Sequence, residues 1–246
     1  MKQIFVFDID GTLTKPRNPM DLAFSSYFKS FCQFHDVYLC TGSDFDKVME
    51  QVPVSVLSLV KGIFTCSGNS YWFGRLMVCQ EDVSQRNLFD PPPELIESLE
   101  NYVKMSKFEP KTENFVEFRT GMINFSTVGR SCDQKTRDSY AKWDEIEGER
   151  AKIAKEMKEK FPDLDFNIGG EISIDIHPKG WDKSQAIRKI KDWFPNRSIH
   201  FFGDKIKEGG NDLPAAKALG KNDSVHPVEG PDDTKRILEC FFDSRI

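Results

Sequence analysis

Residues 4–7, Ile-Phe-Val-Phe, lead directly into Asp8-Ile9-Asp10-Gly11-Thr12, and this string limits the fold more than any other part of the chain. A continuous apolar run closed by a Gly-Thr break reads as a strand buried on both faces of a parallel sheet. Whatever follows such a strand is delivered to the sheet's carboxyl edge, where open α/β folds keep their active sites. Strand alternation lets Asp8 and Asp10 share a face. Two carboxylates that close repel one another unless a cation lies nearby, and hard oxygen ligands favour Mg2+. A pair of turn-initiating aspartates is the plainer explanation. It accounts less well for the whole string Asp-x-Asp-Gly-Thr set directly after an apolar strand.

Composition narrows the rest. At 246 residues the chain has room for one large or two modest domains. A hydrophobic share of 39% is enough for a core, and most of the 21 phenylalanines belong there. The net charge of −5 argues against a nucleic-acid binder, although a local arginine cluster can still hold anions. No run approaches about 18 apolar residues, and the chain enters a core strand at once. Neither a membrane span nor a cleavable signal is therefore expected. Six scattered cysteines without a Cys-x-x-Cys pair fit reduced thiols in a cytoplasmic protein.

Helical spacing over 20–34, a strand over 36–40 and a helix over 45–51 follow the first strand, with Ser43 or Asp44 capping the second helix. A strand over 62–66 and a hairpin over 71–79 come next. The pattern changes at Phe89-Asp90-Pro91-Pro92-Pro93-Glu94. Beyond it the spacing predicts a helix (94–105), two strands (115–119, 122–126), one long charged helix (139–161) and a strand (166–176). From Trp181 the βα alternation resumes, with a helix over 182–194, a strand over 198–202, a short helix from Asp212 and a closing helix over 232–242. An α/β core formed by 1–83 and 183–246 is thus expected, split by an inserted α+β domain at 84–182 built on an antiparallel sheet.

Three strand ends then converge on one edge, carrying Asp8 and Asp10, Thr41, and Asp204. With Lys183 opening the helix before the last of these strands, the order resembles the haloacid dehalogenase superfamily of phosphotransferases. The resemblance implies that Asp8 is the nucleophile that becomes an aspartyl-phosphate and Asp10 the general acid/base. Thr41 would donate to the transferring phosphoryl, and Lys183 would neutralise its charge and that of Asp8. A Mg2+ site of Asp8, Asp10 and Asp204 is also implied, with Asp212 of Gly209-Gly210-Asn211-Asp212 holding either metal or lysine. Taken singly, Lys183 would pass for a surface lysine and the glycine pair for a turn.

The inserted segment is more specific. Phe118-Arg119-Thr120-Gly121-Met122-Ile123-Asn124-Phe125-Ser126-Thr127-Val128-Gly129-Arg130 is followed by Arg137, and three arginines on such a path can present planar forks to one anion. This string resembles the eukaryotic-type phosphomannomutase family. So do residues 169–183, His200–Asp204, Gly209–Asp212 and Arg17, so that the likeness runs from about residue 4 to 213. It implies a Rossmann-like haloacid dehalogenase core with an α+β cap. Arg119, Arg130, Arg137 and Ser173 would hold the distal phosphate, Asp175 would read sugar hydroxyls, and Arg17 would contact the substrate near the core. The implied activity interconverts mannose 6-phosphate and mannose 1-phosphate through a hexose 1,6-bisphosphate, which also acts as activator. A sugar-phosphate phosphatase with the same cap is the alternative, and a homodimer through the cap is implied as well.

Several positions depart from the family pattern. Cys66-Ser67-Gly68-Asn69 stands where Glu-Asn-Gly is usual, and Thr127 replaces a proline. Past Asp212, Ala216, Ala218 and Lys221 occupy the place of a second cation-binding loop, so that second site is not expected. The sequence does not rank mannose against glucose. His177, beside Pro178 at a strand end, reads as structural, because Asp10 already fills the acid/base role.

Overall fold

The computed structural model describes residues 3–74 and 80–243. From the N-terminus the elements are β1 (Ile4–Phe7), α1 (Leu22–Phe34), β2 (Asp36–Cys40), α2 (Phe45–Gln51), the single turn α3 (Val54–Leu57), β3 (Gly62–Thr65), β4 (Ser70–Phe73) and β5 (Gln80–Glu81). Next come α4 (Pro93–Met105), β6 (Val116–Arg119), β7 (Met122–Phe125), α5 (Gln134–Glu147), α6 (Glu149–Lys160), β8 (Leu164–Gly169) and β9 (Ser173–Pro178). The chain closes with α7 (Ser184–Trp193), β10 (Ile199–Gly203), α8 (Leu213–Lys217), β11 (Ser224–Pro227) and α9 (Pro231–Asp243). No helix among the described residues is long and apolar enough to cross a membrane.

Two units result. One comprises residues up to Arg86, Asp182–Glu208 and Asp212 onward; the other comprises Asn87–Trp181 together with Gly209–Asn211. The first is built on a seven-stranded sheet of order β11-β10-β1-β2-β3-β4-β5. Its strands from β11 to β3 are parallel, and β4 and β5 add antiparallel pairs at one edge. Because β1 lies between β10 and β2, the order reverses at β1, which is where such sheets open a crevice at their carboxyl ends.

Period-two alternation along β1 sorts its side chains between two cores. Phe5 and Phe7 pack with Phe24, Phe28 and Phe31 of α1 and Leu238 of α9. Ile4 and Val6 pack with Ala186, Ile187 and Ile190 of α7. Asp8 continues the Ile4–Val6 series toward the α7 side, the helix that Lys183 precedes. The second unit pairs β6-β7-β9-β8 antiparallel throughout. One core of this unit joins Leu95 and Leu99 of α4 and Ile153 and Met157 of α6 to Ile123, Phe125, Ile174 and Ile176.

Local differences from the sequence reading have identifiable causes. Asp21 caps α1 by accepting from Phe24 N, so the helix starts at Leu22, not Met20. Asp44, not Ser43, caps α2 through Lys47 N at 2.9 Å. The single long helix expected over 139–161 is two helices, divided at Gly148, whose left-handed φ of 65° ends α5. The one strand expected over 166–176 is a hairpin of β8 and β9 turning at Gly170. β11 was not anticipated: Ser-Val-His-Pro has no apolar run to announce it, yet it pairs parallel with β10. Of the hairpin expected over 71–79, residues 71–73 belong to β4, while 75–79, including Cys79, lie outside the described residues.

Candidate active site

The end of β1 builds the centre of the first unit. Asp8 N donates to Phe202 O at 2.9 Å, which ties the strand end to β10. Gly11 then turns the chain at φ 81°, and a Cβ there would stand 2.4 Å from Asp204 Oδ2. Only glycine allows both that conformation and that approach.

Lys183 Nζ donates to Asp8 Oδ1 at 2.6 Å and to Asp212 Oδ1 at 2.7 Å. Asp8 is 3% exposed, Lys183 1% and Asp212 0%, so these are buried charges that persist by pairing. Asp212 Oδ2 also accepts from Lys205 N at 3.0 Å, which fixes the loop after β10. Asp204 pairs at its rim with Lys205 Nζ at 3.0 Å. Asp8, Asp204 and Asp212 each offer an oxygen within 4.8 Å of the others.

Three carboxylates against one buried ammonium leave excess negative charge. Burial pushes the Asp8 carboxyl well above its ordinary range; Lys183 opposes the rise, and Asp212 and Asp204 add to it. Burial also disfavours the Lys183 ammonium, but Asp212 and Asp8 outweigh it and hold its pKa well above the usual value. Asp204 is raised as well, chiefly by burial. The donor set is hard oxygen with an unbalanced negative charge, and it fits a divalent cation. Asp212 is the most committed of the three, since Lys183 and Lys205 N occupy both of its oxygens.

Asp10 is not one of these three. β1 ends at Phe7, and Asp10 lies beyond it in a tight turn over residues 9–14. Its Oδ1 accepts instead from Arg17 N at 2.7 Å and Gln51 Nε2 at 2.8 Å. Arg17 adopts a left-handed φ of 62° with its side chain exposed, so here it is the backbone of Arg17 that reaches Asp10.

Thr41 is buried at the end of β2, beside β1. Its Oγ1 accepts from Ser43 N at 3.1 Å, leaving the hydroxyl hydrogen to donate. In the altered loop after β3, Cys66, Ser67 and Gly68 all take positive φ. Asn69 Nδ2 donates back to Cys66 O at 2.7 Å, while Gln185 Nε2 donates to Ser67 O and Asn69 Oδ1. Gln185 thus joins this strained loop to the helix that starts beside Lys183.

The second unit carries its own charged cluster. Glu117 accepts from Arg119 Nε at 2.8 Å and Arg130 Nε at 2.9 Å, and Arg130 Nη1 donates to Ser173 Oγ at 2.6 Å. Arg137 lies in the same unit. It is buried, and its Nε and Nη2 donate to the Cys132 and Arg130 carbonyls. Two of its three nitrogens therefore brace the backbone that carries Arg130. Asp175 accepts from Asn124 Nδ2 across the β7–β9 pair. His177 is buried between Asn167 and the Pro178 carbonyl. Among the residues passed over in the sequence, Glu117 had a usable signal, since it sits two positions before Arg119 and shares its strand face. Gln51 and Gln185 had none.

Comparison with known proteins gives the family. The family model for eukaryotic phosphomannomutase matches residues 25–244. A phosphomannomutase from Dendrobium officinale is 35% identical over 241 residues, covering 97% of this chain and 94% of its own. A probable phosphomannomutase from Caenorhabditis elegans is 36% identical over 247 residues, with coverage of 97% and 94%. Among solved structures, a haloacid dehalogenase-like hydrolase from Bacteroides thetaiotaomicron superposes with a TM-score of 0.61 at 12% identity, covering 98% of this chain and all of that one. An IMP-nucleotidase mutant from Plasmodium falciparum gives 0.70 at 13% identity, covering 98% and 67%. These structural likenesses speak for the fold alone. With its family model matched over most of its length and relatives above 30% identity across nearly all of it, the chain belongs to the eukaryotic phosphomannomutase family.

Proposed function

We propose that this chain interconverts mannose 6-phosphate and mannose 1-phosphate by phosphoryl transfer through Asp8, with a hexose 1,6-bisphosphate as intermediate and activator. The observation that carries the reading is the Asp8–Lys183–Asp212 arrangement, a buried carboxylate held by a buried ammonium at the carboxyl end of β1. Phosphoryl transfer depends mainly on positioning and charge, and this is a device for both.

In the proposed reaction Asp8 attacks the phosphorus of a bisphosphate, and the bond from phosphorus to the sugar oxygen breaks. The sugar oxygen keeps the electron pair and takes a proton from Asp10. Phosphorylated Asp8 then gives its phosphoryl group to the free hydroxyl of the hexose phosphate being converted. The bond from phosphorus to Asp8 breaks, Asp10 removes the hydroxyl proton, and the new bisphosphate turns end for end and returns its other phosphoryl group to Asp8. Lys183 offsets charge on Asp8 and on the transferring oxygens, and Thr41 donates to one of them. Asp8 and Asp204 would hold Mg2+, which when bound neutralises the excess negative charge of the site and of the phosphoryl group. Arg119, Arg130 and Ser173 would take a second phosphate, supported by Glu117 on one side and the Arg137 brace on the other. A phosphomutase needs two anion sites, and a simple phosphatase needs one.

Phosphorus NMR of mannose 1-phosphate mixed with enzyme, Mg2+ and a trace of hexose 1,6-bisphosphate tests the reading. Mannose 6-phosphate appearing only with the bisphosphate present supports it. Free phosphate as the sole product contradicts it.

A further inference from the structure

Gln51, the last residue of α2, is 2% exposed. A buried amide needs its hydrogen bonds made. Its Nε2 donates to Asp10 Oδ1 at 2.8 Å and to Thr14 Oγ1 at 3.2 Å. Chemistry dictates this orientation. Asp10 Oδ1 already accepts from Arg17 N, and Thr14 gives its own hydroxyl hydrogen to Ile9 O at 3.3 Å, so both neighbours present lone pairs. Only the amide nitrogen, with two hydrogens, satisfies both.

The other end of the amide is not balanced. Gln51 Oε1 is buried and accepts no hydrogen bond from the described residues. An unmet buried acceptor is destabilising, and an apolar side chain would avoid it. The chain keeps the amide, and both of its hydrogens go to the turn that carries Asp10. The second donor to the same carboxylate oxygen, Arg17 N at 2.7 Å, comes from a residue held at a left-handed φ of 62°. Two separate departures from the low-energy choice thus end on one atom, Asp10 Oδ1.

We propose that Gln51 is a positioning residue for Asp10. Together with the Arg17 N–H it occupies the lone pairs of Oδ1 and leaves Oδ2 as the atom that carries the transferred proton. The proposal rests on the acid/base role given to Asp10 above. In the transfer from a hexose bisphosphate, the bond between phosphorus and the sugar oxygen breaks as the bond to Asp8 forms, and the sugar oxygen takes its proton from Asp10 Oδ2. A carboxyl group with both oxygens loosely held delivers that proton from a wider range of geometries, which slows only those reactions whose leaving group needs it.

The test uses the full chain as Gln51→Met and Gln51→Leu, with Asp10→Asn beside them. Two phosphoryl donors are compared: a hexose 1,6-bisphosphate, whose alkoxide must be protonated, and p-nitrophenyl phosphate, whose phenolate leaves without a proton. The bisphosphate rate divided by the nitrophenyl rate is expected to fall about 30-fold in both Gln51 variants, below the full range for general acid catalysis. A larger fall is expected in Asp10→Asn. Equal loss of both rates in the Gln51 variants, with the ratio unmoved, overturns the proposal, because the side chain then serves only the fold. A shifted ratio in Asp10→Asn with unshifted ratios at Gln51 overturns this proposal alone. An unshifted ratio in Asp10→Asn overturns the role of Asp10 itself, and this proposal with it.

Discussion

Lys183 Nζ lies 2.6 Å from Asp8 Oδ1 although 175 residues separate them, and the inserted unit occupies much of the chain between. The contact follows from β1 and α7 packing through Ile4, Val6, Ala186, Ile187 and Ile190. Period two along β1 sends Asp8 to the α7 side of the sheet, and α7 begins one residue after Lys183.

Lys183→Met removes the cation shared by Asp8 and Asp212 while keeping the bulk of the side chain. Phosphomutase activity is predicted to fall about 10²–10³-fold, the range for losing one charge-stabilising donor. Breaking a buried pair also costs roughly 3–5 kcal/mol, so the melting temperature should drop in the same preparation. Steady-state rates and a thermal melt check both. A variant of near-native activity would remove Lys183 from the site.

Gly11→Ala separates backbone strain from site geometry. A left-handed alanine costs about 1–2 kcal/mol, a shift of about 2–8 °C in melting temperature for a chain of this size. The larger effect should be on activity, since the new Cβ would displace the Asp204 carboxylate 2.4 Å away. At least about a tenfold loss of kcat is predicted, partly restored by raising Mg2+ if Asp204 is a ligand. Unchanged kcat and Mg2+ dependence would argue against Asp204 as part of the centre.

Glu117→Ala frees Arg119 and Arg130 from the carboxylate that aligns them. The KM for hexose phosphate is expected to rise about tenfold with kcat changed much less, the pattern of lost ground-state binding. Stability should move by no more than about 1 kcal/mol, because the pair is partly exposed. A fall in kcat at constant KM would place the cluster elsewhere in the reaction.

His226 and His200 set a pH limit on stability. His200 Nδ1 and His226 Nε2 are 3.0 Å apart; His200 stacks on Phe5, His226 on Phe202, and both meet Phe241 edge-on. Burial lowers both imidazoles, His226 from 6.5 to about 4, with His200 adding to the shift. A lowered histidine means that the unfolded chain binds more protons than the native one across this window. Stability is therefore full above about pH 6.5 and is lost as pH falls toward about 4. Melting temperatures between pH 7.5 and 4.5 should fall, and His226→Phe should flatten the slope. An equal slope in the variant would assign the acid lability to other groups.

Much of the centre could be read from residue order. An apolar strand pointed to Asp8, strand ends pointed to Thr41 and Asp204, and only their sequence with Lys183 gave that lysine meaning. Arg119 and Arg130 came from the string over 118–130 and Ser173 from the segment over 169–183, both through the family resemblance. Other parts depend on facts that appear only in three dimensions. Asp10 looked like a strand neighbour of Asp8, but β1 stops at Phe7 and a turn takes Asp10 to Gln51. Arg137 gives two of its nitrogens to backbone carbonyls, a bracing contact that no sequence pattern announces. Gly148 and β11 were missed because a single glycine and a four-residue polar strand carry little signal against the periodicity around them.

The most direct measurement is the location of the transferred phosphoryl group. Enzyme mixed with a 32P-labelled hexose 1,6-bisphosphate and quenched in acid should hold an alkali-labile label on the peptide containing Asp8, and Asp8→Asn should hold none. Label on another residue, or label that persists in Asp8→Asn, would contradict the account.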